Sequence, residues 1–295
     1  MQSADFLSAV FFYLKEGENL NQNWIVENLN NAFSTWNGKL GELWGLVTTG
    51  PQTFKGGAVW SVMQTLHNGM VGIGYALVVL FFAISLCKNT INFHELKRPE
   101  AAIHYFLRFV AAKALVGYGM DIMLNVFSIC NGIVTDMADS MGGISEAMVS
   151  LPAEMQTAIE NVGFLASIPL WLVTILGSLF ITVLSFVMIL TVYGRFFRLY
   201  MYTALAPLPL AAFAGESTQS VGISFLKSYV GVCLEGAVIV LACVIYSAFV
   251  STPTVASGEA TTIVWSYLAE TVFNMLVLVG LIKGSDRIIH EMMGL

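Results

Sequence analysis

Long apolar runs with few charged residues dominate the pattern of this chain. A membrane-spanning helix needs about 20 consecutive apolar residues, because each residue advances the helix by about 1.5 Å. Five stretches approach or exceed that length, and two of them contain no charged residue. The predicted spans are about 66–86, 109–130, 168–193, 229–250 and 263–282. The pattern therefore predicts an all-α, polytopic membrane protein with about five transmembrane helices.

A sixth apolar stretch, 199–214, is only 16 residues long and has Pro207 and Pro209 in its middle. Each proline removes a backbone N–H donor, and Leu208 is biased away from helical geometry by the proline that follows it. We therefore expect the helix to break here. The stretch is then a re-entrant element, whose freed backbone groups meet protein or water rather than lipid.

The beginning of the chain follows a different pattern. Between residues 19 and 47, apolar side chains recur at three- and four-residue steps among Asn, Glu and Lys, which predicts an amphipathic helix. Tryptophans are prominent on its apolar face, a composition that suits either the outer membrane–water interface or packing on a partner. We interpret residues 1–58 as an exported N-terminal amphipathic helical region and residues 59–295 as the transmembrane domain.

The basic residues indicate the orientation, because Lys and Arg are retained on the cytoplasmic side of a membrane. If 199–214 does not cross, ten of the 13 basic residues fall on or near one side. They are Lys88, Lys97, Arg98, Arg108, Lys113, Arg195, Arg198, Lys227, Lys283 and Arg287. If 199–214 crosses, Lys283 and Arg287 are exported. We therefore predict an outside N-terminus, a cytoplasmic C-terminus and an exported loop at 131–163, which has five acidic residues and no basic one.

Composition excludes several classes of protein. Of the 295 residues, 57% are hydrophobic and 11% are charged, whereas soluble domains carry about 25% charged residues. The net charge of −6 argues against a protein that binds nucleic acid through a basic patch. The four cysteines form no C-x-x-C pair, and no nucleotide-binding loop or catalytic grouping stands out. We expect no enzyme activity, no cofactor and no metal.

Four ionisable residues fall inside the predicted spans, where a charge is costly unless it is paired or hydrated. Lys113 and Glu235 lie at similar depths from the cytoplasmic edge. Either they form an ion pair between two helices, or Lys113 extends to the headgroups and Glu235 faces cytoplasmic water. Asp121 and Glu270 have the same sign and cannot neutralise each other. Either they line a water-filled lumen, or they are protonated and join helices.

The third span carries a stripe of small polar residues near one face, which are Thr174, Ser178, Thr182 and Ser185. Such a stripe is typical of close helix packing, and the alternative is a pore lining.

The most distinctive motif lies between Tyr193 and Ala214, which reads YGRFFRLYMYTALAPLPLAAFA. A polar turn and another long apolar helix follow it. This order of a helix ending in basic residues, an A-L-A-P segment, a polar turn and a span resembles the TrbL-like polytopic subunits of bacterial conjugation machines. These machines are type IV secretion systems. The resemblance covers about residues 168–281.

The resemblance implies a non-enzymatic channel or scaffold component in the bacterial cytoplasmic (inner) membrane, which helps to translocate DNA and protein. It implies partners among the machine's cytoplasmic ATPases and bitopic scaffold proteins, with DNA only as the transported substrate. It also favours a homo-oligomer of five copies around a central axis. The alternatives are a small-solute channel or transporter and a purely structural anchor with a lumen filled by lipid or side chains.

Four residues mark a candidate docking or gating segment on the cytoplasmic side. Arg195 and Arg198 are three residues apart, so they share a helical face just before Pro207 and Pro209. They would anchor the break at the phosphate level or pair with an acidic partner surface. The competing interpretation is a short interfacial hairpin that is needed only for folding.

Overall fold

The computed structural model describes residues 2–90, 99–140, 148–162, 164–249 and 260–295, and side chains in 24–88, 103–140, 148–162, 168–249 and 262–295. These residues are helical with short turns, and no strand occurs among them. The all-α prediction is confirmed. Lys97, Arg98 and residues 141–147 of the predicted exported loop lie outside the described residues.

The helices in the described residues follow one another with short connections. They are α1 (Gln2–Thr48), α2 (Ala58–Thr90), α3 (Pro99–Gly117), α4 (Gly119–Ser140), α5 (Ala153–Glu160), α6 (Phe164–Leu205), α7 (Pro207–Ala211), α8 (Gln219–Phe249) and α9 (Ala260–Met293). Two short 3-10 turns, Phe54–Gly57 and Ala212–Ala214, precede α2 and follow α7.

Four segments of these helices are long and apolar enough to cross a membrane, and they are Phe54–Lys88, Ile168–Leu205, Gln219–Phe249 and Thr262–Met293. A fifth candidate is the pair α3 and α4, which is bent by 72°. Four to five candidate spans agree with the predicted number. The predicted span at 109–130 is therefore two helices that meet at Tyr118, between Gly117 and Gly119, and glycine is a poor helix former.

The proline-containing stretch is more regular than the sequence suggests. Helix α6 continues beyond residue 193 to Leu205, and the break falls at Ala206, as expected from Pro207. The expectation for Leu208 is wrong, because this residue lies inside the short helix α7. Both prolines stand in the first turn of α7, where backbone N–H groups have no partner within the helix and their loss costs little.

The chain divides into two compact units. Unit 1 comprises Met1–Trp44, Gly143–Thr191 and Leu241–Lys283, and unit 2 comprises Gly45–Gly142, Val192–Val240 and Gly284–Leu295.

In unit 1, α1 packs its apolar face inside the protein. The buried side chains of that face are Ile25, Leu29, Phe33, Trp36, Leu40 and Leu43. Along α6, the Trp24 and Trp171 rings lie 5.8 Å apart, and Asn28 Nδ2 donates to Ser178 Oγ at 3.0 Å. The amphipathic helix is confirmed, and its apolar face is covered by the chain's own helices rather than by the membrane interface.

In unit 2, α7 and the 3-10 turn that follows it pack against α2 and α3. We call residues 206–214 the proline segment. Most of its side chains are buried, and they are small or apolar. Helix α2 faces it with a narrow buried stripe at seven- and four-residue steps, made of His67, Gly74, Val78 and Ser85. Larger apolar side chains on the remaining surface of α2 are exposed, as expected for a helix in lipid.

Candidate functional site

The polar residues around the proline segment are the candidate site, and Arg195 is its most deeply buried member. Its side chain is 0% exposed, so every polar bond that it makes is to protein. Nε donates to the Val232 carbonyl and Nη2 to the Cys233 carbonyl, both at 3.3 Å, and Nη1 donates to the Val47 carbonyl at 3.4 Å. The last carbonyls of a helix have no donor within that helix. Arg195 therefore joins α6 to α8 and also caps the end of α1.

Gly236 makes room for this guanidinium. A Cβ atom placed on Gly236 would lie 2.8 Å from Nη1 and 2.9 Å from Cζ of Arg195. Real Cβ atoms essentially never approach other atoms so closely. The absence of a side chain at Gly236 thus lets the charged group lie flat against α8.

A second buried group links three helices. The Glu235 carboxylate, 1% exposed, accepts two hydrogen bonds of 2.7 Å from Arg198 Nη2 and one of 3.2 Å from Ser285 Oγ. Arg198 Nη1 also pairs with Asp286. We call Arg195, Arg198, Glu235, Ser285 and Asp286 the arginine cluster. It ties α6 to α8 and α9, and the loss of one partner would leave another charge buried without compensation.

Aromatic residues of α6 hold the turn between α1 and α2. Tyr200 donates its hydroxyl hydrogen to the Pro51 carbonyl at 2.9 Å, and the Phe54 ring stacks on Phe196 with centroids 4.0 Å apart. The turn needs this support because Lys55 has a φ of +49°, a left-handed conformation that residues other than glycine rarely adopt.

The proline segment is held from α2. His67 is 1% exposed, and its Nδ1 lies 2.7 Å from the Thr203 carbonyl, in the last turn of α6. Gly74, two turns further along α2, contacts the next part of the segment, because a Cβ there would lie 2.9 Å from the Pro207 carbonyl oxygen. Together these contacts hold α2 against both sides of the break between α6 and α7.

A family model described as TrbL/VirB6 plasmid conjugal transfer like protein matches residues 36–207, more than half of the chain. The chain belongs to this TrbL/VirB6 family. It is therefore a component of a conjugative type IV secretion system and a multi-pass membrane protein. No curated protein and no solved structure matches the chain.

The range matched by the TrbL/VirB6 model contains several complete contacts of the site. Arg195 with Val47, Tyr200 with Pro51 and His67 with Thr203 all lie within residues 36–207. The match ends at Pro207 itself, the first residue of α7. Both residues of each of these contacts therefore lie inside the matched range, whereas most of the proline segment lies beyond it.

Of the residues predicted from the sequence, the structure brings Arg198 and Glu235 together. Neither alternative for Glu235 is realised. Lys113 is exposed on α3 and no ion pair joins these two described residues, and the Glu235 carboxylate is buried rather than facing water. Asp121, in the first turn of α4, and Glu270, on α9, are both exposed.

The sequence did not point to Ser285 and Asp286 of the arginine cluster, nor to three further candidates, His67, Tyr200 and Tyr229. Tyr229 donates to the Met123 carbonyl at 2.8 Å and thereby joins α8 to α4. For His67 a signal existed: Pro207 cannot bond the carbonyl four residues before it, so a buried donor was needed there.

Proposed function

We propose that this chain is a non-enzymatic channel or scaffold subunit that helps to translocate DNA and protein across the bacterial cytoplasmic membrane, with DNA only as the transported substrate. One observation carries this proposal over a small-solute transporter: the bonds of the buried Arg195 and Glu235 go to the protein itself. A transporter needs buried polar groups that are free for its solute. Here they lock helices together around the proline segment.

The length of α6 supports assembly with further protein. Its apolar segment of 38 residues is about 57 Å long, whereas the hydrocarbon core is about 30 Å thick. Even a tilt of 40° leaves a depth of about 44 Å. Large apolar side chains are exposed along the whole segment, from Ile168 to Leu205. The part that extends beyond lipid needs a protein cover.

We propose that other subunits supply this cover. A ring of identical copies, five by family resemblance, would give the exposed Asp121 and Glu270 a hydrated environment in place of lipid. Cytoplasmic ATPases and bitopic scaffold proteins are the proposed partners. A protein that stays monomeric in mild detergent and in lipid nanodiscs would contradict the ring.

The proposed topology has five spans, in which the bent pair α3 and α4 counts as the second span and the proline segment does not cross. The distribution of basic residues supports it, because in this arrangement ten of the 13 fall on or near one side.

In this topology the N-terminus and the loop 131–163 are outside, and the C-terminus is in the cytoplasm. Cysteine labelling in intact cells tests it. In a background with Cys87→Ser, Ser217→Cys should react with an impermeant reagent only after permeabilisation, and the matched variant Ser150→Cys should react in intact cells. Rapid labelling of Ser217→Cys in intact cells would contradict the topology.

The role in transfer has its own test. Deletion of the gene should abolish conjugative DNA transfer, and the wild-type gene supplied in trans should restore it. Solute release from liposomes that contain the purified chain, together with normal DNA transfer by the deletion strain, would instead favour a small-solute channel.

We further propose that the proline segment, with Arg195, Arg198, Pro207 and Pro209, acts as a docking or gating element on the cytoplasmic side. The arginine cluster supports this role, because it fixes α6 to α8 and α9 just ahead of the segment, while Asp286 and part of Arg198 stay accessible to a partner.

A further inference from the structure

Pro207 removes the usual hydrogen-bond donor from one buried carbonyl. In an α-helix the carbonyl of a residue accepts from the N–H four positions later, and for Thr203 that position is Pro207, which has no N–H. Thr203 is only 2% exposed, so water does not readily replace the donor. A buried carbonyl without a hydrogen-bond partner costs free energy, and this cost opposes the break that the proline introduces.

His67 supplies the missing donor from another helix. Its Nδ1 lies 2.7 Å from the Thr203 oxygen, and a carbonyl only accepts, so Nδ1 carries the hydrogen. The imidazole is 1% exposed and belongs to the narrow buried stripe of α2. Gly74, on the same stripe, lets the α2 backbone approach Pro207. Helix α2 thus contacts both the Thr203 carbonyl, which the proline leaves without a donor, and Pro207 itself.

We infer that His67 and Pro207 act as one unit, in which the imidazole replaces the amide that the proline lacks and so stabilises the break between α6 and α7 at Ala206. His67 is a positioning residue for the proline segment. The inference rests on the proposed function only where DNA transfer is the readout, since the coupling of the two residues in stability does not depend on what the segment does.

A double-mutant cycle tests the coupling. His67→Ala should lower the apparent melting temperature of the purified protein by about 5 °C, because the Thr203 carbonyl loses its donor. In the Pro207→Ala background, the new alanine supplies its own N–H, and the same His67→Ala change should lower the melting temperature by only about half as much, because the buried ring is still lost but the Thr203 carbonyl keeps a donor. The matched control is Pro209→Ala, which restores an amide elsewhere; there His67→Ala should keep its full effect.

Equal effects of His67→Ala in all three backgrounds, or no effect in the wild type, would overturn the inference. If His67→Ala fails to accumulate in the membrane, the prediction becomes rescue of accumulation by Pro207→Ala and not by Pro209→Ala. His67→Asn, which keeps a side-chain N–H near the position of Nδ1, should retain most of the wild-type stability.

DNA transfer separates this inference from the proposed function. At equal membrane levels, His67→Ala should reduce transfer, and His67→Asn should restore it. Normal transfer by His67→Ala together with the stability coupling would contradict the docking or gating role and leave the pairing of His67 with Pro207 intact.

Discussion

The polar stripe on α6 in unit 1 and the polar residues that hold α6 in unit 2 form different kinds of hydrogen bond. In unit 1 the hydroxyl groups of the α6 stripe donate to carbonyls of their own helix, three or four residues earlier; these residues are Thr174, Ser178, Thr182 and Ser185. In unit 2, Arg195 and His67 reach other helices. Arg195 bonds residues 37 and 148 positions away in sequence, and His67 bonds one 136 positions away.

This difference shows which polar residues fix the arrangement of the helices. A hydroxyl that bonds its own helix is satisfied in nearly any packing. Thr174, Ser178 and Ser185 are buried, so the stripe of unit 1 fits close helix packing, the first of its two interpretations. A buried guanidinium or carboxylate is satisfied in one arrangement only. The arginine cluster therefore fixes the relation of α6, α8 and α9 within unit 2.

The largest effect should come from Glu235→Ala. This change removes the carboxylate that balances two arginines and leaves a buried cation, at a cost of about 3 kcal/mol or more. The matched change in unit 1 is Glu42→Ala, whose partner Lys39 lies one turn away on the same helix, 2.6 Å from it. That local pair should contribute less than about 1 kcal/mol. Thermal unfolding in detergent measures both, and equal losses would erase the distinction between the units.

Two glycines provide a smaller and opposite pair of effects. Gly236→Ala should destabilise the protein by about 1–3 kcal/mol, because the new methyl group displaces the Arg195 guanidinium. Gly38→Ala on α1 meets nothing within 4 Å and should stabilise its helix by about 0.5–1 kcal/mol. The sign of the change in melting temperature is the readout. A stabilising Gly236→Ala would mean that Arg195 does not lie against α8.

The smallest effect should come from the unit 1 stripe itself. Thr182→Ala removes a hydroxyl that bonds only the Ser178 carbonyl of its own helix, and alanine is the better helix former. The free energy of unfolding should change by less than about 0.5 kcal/mol, and DNA transfer should stay normal. Loss of transfer at normal membrane levels would revive the pore-lining interpretation.

Hydrophobic length was enough to predict α2, α6, α8 and α9 from the sequence, and the amphipathic repeat was enough for much of α1. Their ends were less accessible. Helix α6 runs to Leu205 because nothing after Gly194 interrupts it before Pro207, and the bend at Tyr118 depends on tertiary packing around two glycines.

The partners of the site residues were harder still. Depth along the helices suggested Lys113 as the partner of Glu235. Depth alone does not determine an ion pair, because the helix face on which each residue lies also decides which side chains meet. The residue that pairs with Glu235 is Arg198. The proline pattern correctly predicted a break and a freed carbonyl. Which distant donor fills that position, His67, follows only from the fold.

In the proposed docking or gating role, the break before Pro207 serves DNA transfer and not only folding. The double change Pro207→Ala with Pro209→Ala should leave the protein inserted and oligomeric, because alanine is compatible with α7, but unable to support DNA transfer. The matched control is Pro169→Ala, a proline inside α6 in unit 1, which should transfer normally.

The decisive measurement is the frequency of conjugative DNA transfer at equal membrane levels of these two variants. We expect loss of transfer for the double variant and wild-type transfer for Pro169→Ala. Wild-type transfer by the double variant would contradict the docking or gating role, and its failure to accumulate would favour a segment needed only for folding.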